Sequence, residues 1–294
     1  MHQAIRTITY YLAIPFIYLL AVIPFGILYG ISDITFFLLF HVVRYRRSVV
    51  WENLSNAFPE KTNMEIATIE RRFYRFLCDV LLETFKTLTI SRQEMLRRCS
   101  MDQASRDMLQ RLADQRESVI LVLGHFGNWE WGGNTFSLCS PHQLYVIYHP
   151  LTNPHFNSLM YRMRSRFGSR LIAMNDTFRE MVRHKSELTA TAFIADQSPV
   201  PQNAHWVRFL NQDTAVFPGT EKLAKKLNRK VLYVSVRRKK RGFYELSIDP
   251  EIWNPEQFSE EELTAAHTRR LEADIIAQPE TWLWTHKRWK HKRR

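Results

Sequence analysis

The stretch Ser118–Gly133, SVILVLGHFGNWEWGG, runs an apolar, β-branched segment into Gly124, places His125 directly after it, and carries Glu130 five positions on. An imidazole takes a proton from a hydroxyl near neutral pH, and a nearby carboxylate can fix its tautomer and stabilise the imidazolium. The spacing alone does not single out this pair. With 29 acidic residues in 294, a His-x4-acid match also arises by chance, as at His267 and Glu272, in a charged helical pattern with no strand before it. Only His125 and Glu130 have the strand-then-glycine context that sets a base at the carboxyl edge of a sheet. Gly127, Gly132 and Gly133 allow close approach there, and Asn128 adds a polar group beside the base. The plain alternative for His125 is a core histidine with a structural hydrogen bond.

Three further groupings could touch a substrate. Arg162, Arg164, Arg166 and Arg170 gather in YRMRSRFGSR, with 162 and 166 on one helical face. Guanidinium groups pair bidentately with phosphate oxygens; a solvated basic helix face is the alternative for most of the four. Asp196, in Ala195-Asp196-Gln197 after an apolar run, could orient an arginine or cap a turn. Gly219, in Phe217-Pro218-Gly219-Thr220, could open a helix whose free N–H groups face an anion or oxyanion, or mark an ordinary junction. His142, His149 and His155 lack a compact ligand spacing, so no metal is expected. Nothing matches the Gly-x-Ser-x-Gly elbow of serine hydrolases.

The elements that must position these residues follow from periodicity. Strands are expected at Ser118–Leu123, Leu144–Tyr148, Leu171–Met174, Thr189–Ile194, Val231–Arg237 and Tyr244–Ile248, the last two as an antiparallel edge hairpin. Helices are expected at Pro154–Phe167, Phe178–His184, Glu221–Leu227 and Glu260–Ala277, and over residues 64–90. Apolar positions in 64–90 recur at three- and four-residue steps, as a core stripe or the wall of an acyl chain. The alternation predicts an α/β fold, an αβα sandwich around a largely parallel sheet, preceded by an N-terminal membrane helix. Residues 1–43 read as membrane anchor and interfacial segment. Residues 44–294 read as the catalytic domain, with a basic linker at 44–60 and a basic tail, THKRWKHKRR.

From Thr7 to Ser32 no side chain is charged, which is long enough to cross a bilayer, with kinks at Pro15 and Pro24. The weakly charged start and the absence of an Ala-x-Ala-like exit argue against a cleaved signal. Ile34–Val43 is a second apolar run, too short to span. Arg44, Arg46 and Arg47 after the helix, against Arg6 before it, place the bulk of the chain on the cytoplasmic side. Three widely spaced cysteines fit a reducing compartment. A net charge of +12 favours an anionic partner (nucleic acid, an anionic bilayer surface, or a phosphorylated or acidic substrate), with solubility alone as the alternative. A non-catalytic, membrane-tethered binding protein is the competing class, but the basic residues are dispersed and no nucleic-acid motif is present, so no nucleic-acid partner is expected.

GHFGNWE resembles the His-x4-Asp/Glu block of the bacterial lipid A late acyltransferases, part of a wider lysophospholipid acyltransferase group. The likeness extends to Asp196-Gln197, to Phe217-Pro218-Gly219 and to the ending QPETWLWTHKRW. It implies a bacterial inner-membrane enzyme without cofactor. Such an enzyme moves a fatty acyl group from acyl-acyl carrier protein to a hydroxyl of a lipid A precursor. By the resemblance His125 is the general base, Glu130 orients it, and an arginine binds the acceptor phosphate or supports the oxyanion, Arg166 matching best and Arg164 next. The chain departs from glycerolipid relatives in having Glu130 for Asp, and no proline in the late strand Tyr233–Val236. The acceptor stays open on sequence, with an aminolipid, glycolipid or lysophospholipid as alternatives. The ending suits a membrane interface, and the helix at 64–90 is expected to line the acyl groove.

Overall fold

The computed structural model describes residues 2–199, 202 and 204–293; Met1 of the expected anchor and Arg294 of the basic tail lie outside the described residues. The chain opens with α1 (His2–Val22) and α2 (Phe25–Phe37), which continues through a wider turn over Leu38–Val42. Pro15 sits within α1, whereas the break falls at Pro24, whose missing N–H cannot continue the α1 ladder. Phe25–Val42 is therefore one helix, long and apolar enough to cross a membrane, and Ile34–Val43 is its second half rather than a separate run. The expected basic linker is mostly helix, α3 (Arg47–Ala57), because Val50, Leu54 and Ala57 form a buried stripe. α4 (Asn63–Lys86) starts on a capping box between Thr62 and Glu65.

The remainder is an α/β sandwich. In order come α5 (Arg92–Arg98), β1 (Cys99–Met101), α6 (Gln103–Asp114), β2 (Val119–Leu123), α7 (Trp129–Cys139), β3 (Gln143–Tyr148), α8 (Pro154–Ser165) and β4 (Arg170–Ala173). There follow α9 (Thr177–Arg183), β5 (Thr189–Ile194), β6 (His205–Phe209), β7 (Gln212–Val216), α10 (Gly219–Leu227), β8 (Lys230–Lys240), β9 (Phe243–Trp253) and α11 (Glu260–Ala277). Seven strands form one sheet in the order β1-β9-β8-β2-β5-β3-β4, parallel except between β8 and β9. The β8–β9 hairpin forms as expected but is not the edge, because the short β1 pairs outside it. β6 and β7 make a separate antiparallel pair.

The apolar faces of the sheet explain the layers. Ile120 and Val122 point to one side and join a core with α3, α4, α11 and the C-terminal tryptophans. Leu121 and Val119 point to the other and join α6, α7 and β9. That two-sided burial is why the strands read as continuous apolar runs.

α4 carries more than an apolar stripe. Asp79, Glu83 and Lys86 share an adjacent face at helical spacing and are all buried. Glu83 accepts from Tyr29 (2.7 Å), Tyr244 (2.7 Å) and Asn128 (2.7 Å). Asp79 accepts from Ser32, Arg238 and Arg241. Lys86 donates to the carbonyls of Ala21 and Ile23, at the end of α1. The first two helices are thus tied by polar contacts to the folded body. One face of α2 buries Leu28, Ser32 and Phe36, while Ile27, Ile34, Phe37 and Leu38 stay exposed on the other.

Candidate active site

Strand register brings the central contact about. β2 and β5 are parallel neighbours with Leu123 opposite Ile194. Two residues beyond each lie His125 and Asp196, so the pair leave the carboxyl edge of the sheet side by side. Asp196 Oδ1 lies 2.6 Å from His125 Nδ1, and Asp196 Oδ2 accepts from the backbone N–H of His125 at 2.7 Å. Trp282 Nε1 donates to the same oxygen at 2.8 Å. The carboxylate is buried, and burial alone would raise its pKa. The His125 charge and these donors overcome that and hold Asp196 well below the usual range. Burial likewise pushes the imidazole down, and the Asp196 charge and hydrogen bond, with a smaller contribution from Glu130, bring it above the ordinary histidine value.

The partner of the imidazole is therefore Asp196, where the sequence pointed to Glu130. Glu130 lies in the first turn of α7 and takes a different partner. Arg164, in the last turn of α8, meets it in a fork, Nε to Oε2 at 2.9 Å and Nη2 to Oε1 at 2.5 Å. Helical phase explains the difference: the first turn of α7 aims Glu130 at α8, while the sheet register has already filled His125 Nδ1. The Trp129 indole and the imidazole pack in a T-shaped arrangement, with ring centroids 5.0 Å apart. His125, Glu130 and Arg164 all line the mouth of one cavity of about 330 Å3. Nε2 of His125 and Nη1 of Arg164 make no hydrogen bond to another described residue.

Other sequence candidates lie elsewhere. Arg166 donates through Nη1 to the carbonyls of Thr87 and Ile90, both at 2.5 Å, and caps the end of α4 instead of reaching the cavity. Asn128 is buried as the N-cap of α7, accepting from Trp131 N–H and donating to Glu83, so it supports the turn from behind. Gly219 opens α10, packed beneath the Phe217 ring, and does not line the cavity. Nor does any residue of α4, the expected acyl wall; strands β2, β3, β4, β5, β8 and β9 and helices α7 and α8 supply it. Among the described residues no group of three or more His, Cys, Asp or Glu side chains could hold a metal ion. The decoy His267 is buried against Glu221, with Nε2 to Oε1 at 2.5 Å, in the core on the far side of the sheet.

The C-terminal segment is part of the site. Leu283 N–H donates to His125 carbonyl and Gly127 N–H to Thr281 carbonyl, so the segment clamps the turn that carries the base. Trp282 and Trp284 are 2% and 0% exposed, and Arg288 is buried on the Ala215 carbonyl. These residues are core, not membrane interface: all three are buried, and both indole N–H groups find acceptors inside. Trp282 was legible only as a tryptophan in a family-like ending; nothing local shows that it reaches Asp196, 86 residues earlier.

A family model described as bacterial lipid A biosynthesis acyltransferase matches residues 2–291. The chain is 27% identical over 250 residues to the lipid A biosynthesis palmitoleoyltransferase of Escherichia coli (strain K12), covering 84% of this chain and 80% of that protein. It is 22% identical over 284 residues to the lipid A biosynthesis lauroyltransferase of the same organism, covering 95% and 90%. With a lipid A biosynthesis acyltransferase of Haemophilus influenzae it shares 21% identity over 279 residues, covering 93% and 85%. A match that runs from the first helix through the sheet edge to the buried tryptophans takes in every element that builds the site, and the chain belongs to the bacterial lipid A biosynthesis acyltransferase family.

Proposed function

We propose that this acyltransferase moves a fatty acyl group from acyl-acyl carrier protein to a hydroxyl of a lipid A precursor, with His125 as general base. The observation that carries the reading is the imidazole whose Nδ1 is held by Asp196 while Nε2 is left at the mouth of an apolar cavity. Nε2 takes the proton of the acceptor hydroxyl as its oxygen attacks the thioester carbonyl. The carbon–oxygen bond forms, the tetrahedral oxyanion collapses, and the carbon–sulfur bond breaks. The proton passes from the imidazolium to the departing thiolate, leaving ester and thiol. Asp196 keeps the tautomer with the proton on Nδ1 and stabilises the imidazolium.

Arg164 is the group best placed for negative charge. Glu130 fixes two of its nitrogens, and Nη1 is left for the oxyanion or for an acceptor phosphate. Glu130 acts through that guanidinium and through its charge on His125. A bacterial inner-membrane location with the catalytic body on the cytoplasmic side fits the arginines after α2. So does α2 itself, apolar on its free face and bound to the body on the other, as for a helix lying in the interface. The test is acyl transfer by purified enzyme from an acyl-carrier thioester to a lipid A precursor. Ester formation by wild type and its loss in His125→Ala support the reading; transfer to lysophospholipid in preference to the precursor replaces the acceptor.

A further inference from the structure

α7 turns one side to the cavity, and on that side it carries Trp129, Gly132, Gly133 and Phe136. Two successive glycines inside a helix cost about 2 kcal/mol against two alanines, so something other than helix stability accounts for them. The two differ in what surrounds them. A Cβ on Gly132 would come within 2.6 Å of Val236 Cγ2, so this glycine lets α7 close on β8. A Cβ on Gly133 would meet nothing within 4 Å: it faces open space.

That space runs inward from the reacting residues. Back along β2 from His125, the cavity side carries Leu123 and then Leu121, since alternate residues share a face. Leu144, Val234 and Leu246, all buried, continue the wall from neighbouring strands, and Phe136 adds to it from the next turn of α7. A lining without charge beyond the mouth suits hydrocarbon. A methylene fills about the share of liquid volume that a water molecule does, ~30 Å3, and the 330 Å3 includes the mouth where the reacting groups meet, so the cavity takes at most about ten to twelve carbons. Chain length also differs within the family, as the names palmitoleoyltransferase and lauroyltransferase state.

We propose that the cavity holds the donor's acyl chain and that Gly133 sets the longest chain accepted, a medium chain of about ten to twelve carbons. The inference rests on the acyl-transfer reading above. A side chain at position 133 fills the slot partway down, and truncation of Phe136 deepens it.

The experiment is a competition. Full-length enzyme in detergent receives an equimolar mixture of acyl-carrier thioesters from C8 to C16 with a lipid A precursor, and mass spectrometry reads the ratio of products. Wild type should favour C10–C12. Gly133→Leu should raise the ratio of the shortest to the preferred chain by tenfold or more, and Gly133→Ala should move it less in the same direction. Phe136→Ala should move it towards C14–C16. Each ratio is internal to one preparation, so a fall in folded enzyme does not imitate a shift. The same profile in wild type, both Gly133 variants and Phe136→Ala overturns the inference alone. So does a profile that changes only with the acceptor's own chains, which would seat the acceptor there. A wild-type enzyme that transfers no acyl group overturns the acyl-transfer reading and this inference with it.

Discussion

A histidine is a useful base only in its neutral form, and the surroundings of His125 decide where that form begins. The Asp196 contact outweighs burial and raises its pKa above the ordinary 6.5. A raised pKa keeps the imidazole protonated to higher pH, so kcat/KM should climb through an acid limb centred above 6.5. In Asp196→Asn the raising charge is gone while burial remains, so the limb should move to lower pH, with a lower plateau. A pH–rate profile of both proteins checks this; an unmoved limb would assign it to another group. His125→Ala should lower the rate by about 10²–10⁴-fold without loss of folding, as removal of a general base does. Glu130→Gln and Arg164→Lys should each cost activity, and the double variant should cost much less than the product of the two. Each single change already breaks one partly buried fork. Fully multiplicative losses in that cycle would show that the two act separately.

At the scale of elements, the turn between β2 and α7 is held so tightly that position 127 tolerates no side chain. Gly127 has φ +60°, and a Cβ there would overlap the Val236 carbonyl oxygen. Gly127→Ala should destabilise the protein by at least about 2 kcal/mol, read by thermal melting, with activity falling as the turn shifts. A Gly127→Ala protein that melted like wild type would mean the turn has room that its geometry denies. Much of this level was legible in the sequence. Thr189–Ile194 and Glu260–Ala277 run as the periodicity drew them, and the other expected strands lie where the apolar runs are. The site was half legible. The place of His125 at the carboxyl edge of the sheet was plain because a strand ends in glycine beside it, but its partner depends on which strands are neighbours, and order in a parallel sheet is not a local property. Asp196 was therefore read as a turn or an arginine's partner. Arg164, in the last turn of α8, and Arg166, its C-cap, differ by two residues, about 200° in helical phase, and only the placement of α8 decides which one reaches the cavity. The same holds for the tryptophans: their amphipathic chemistry suits an interface and a polar-lined core alike, and the tertiary contacts chose the core.

The whole molecule is a sandwich that carries its apolar helices as part of its own packing. Deletion of residues 1–32 would remove Tyr29 from Glu83 and Ser32 from Asp79, leaving each carboxylate one donor short, and would take away both carbonyls to which the Lys86 ammonium donates. Each such loss costs about 1–3 kcal/mol. The truncated protein should therefore unfold or aggregate, as near-UV circular dichroism and size exclusion would read. A well-folded, soluble truncation would show that the first helices are a detachable anchor. At this scale the reading of the chain comes down to one base acting on one lipid. The most direct test is mass spectrometry of lipid A from cells lacking this gene, complemented with wild type or His125→Ala. Wild type should restore one missing acyl chain and His125→Ala should not; restoration by both, or a lipid A that never changes, would contradict it.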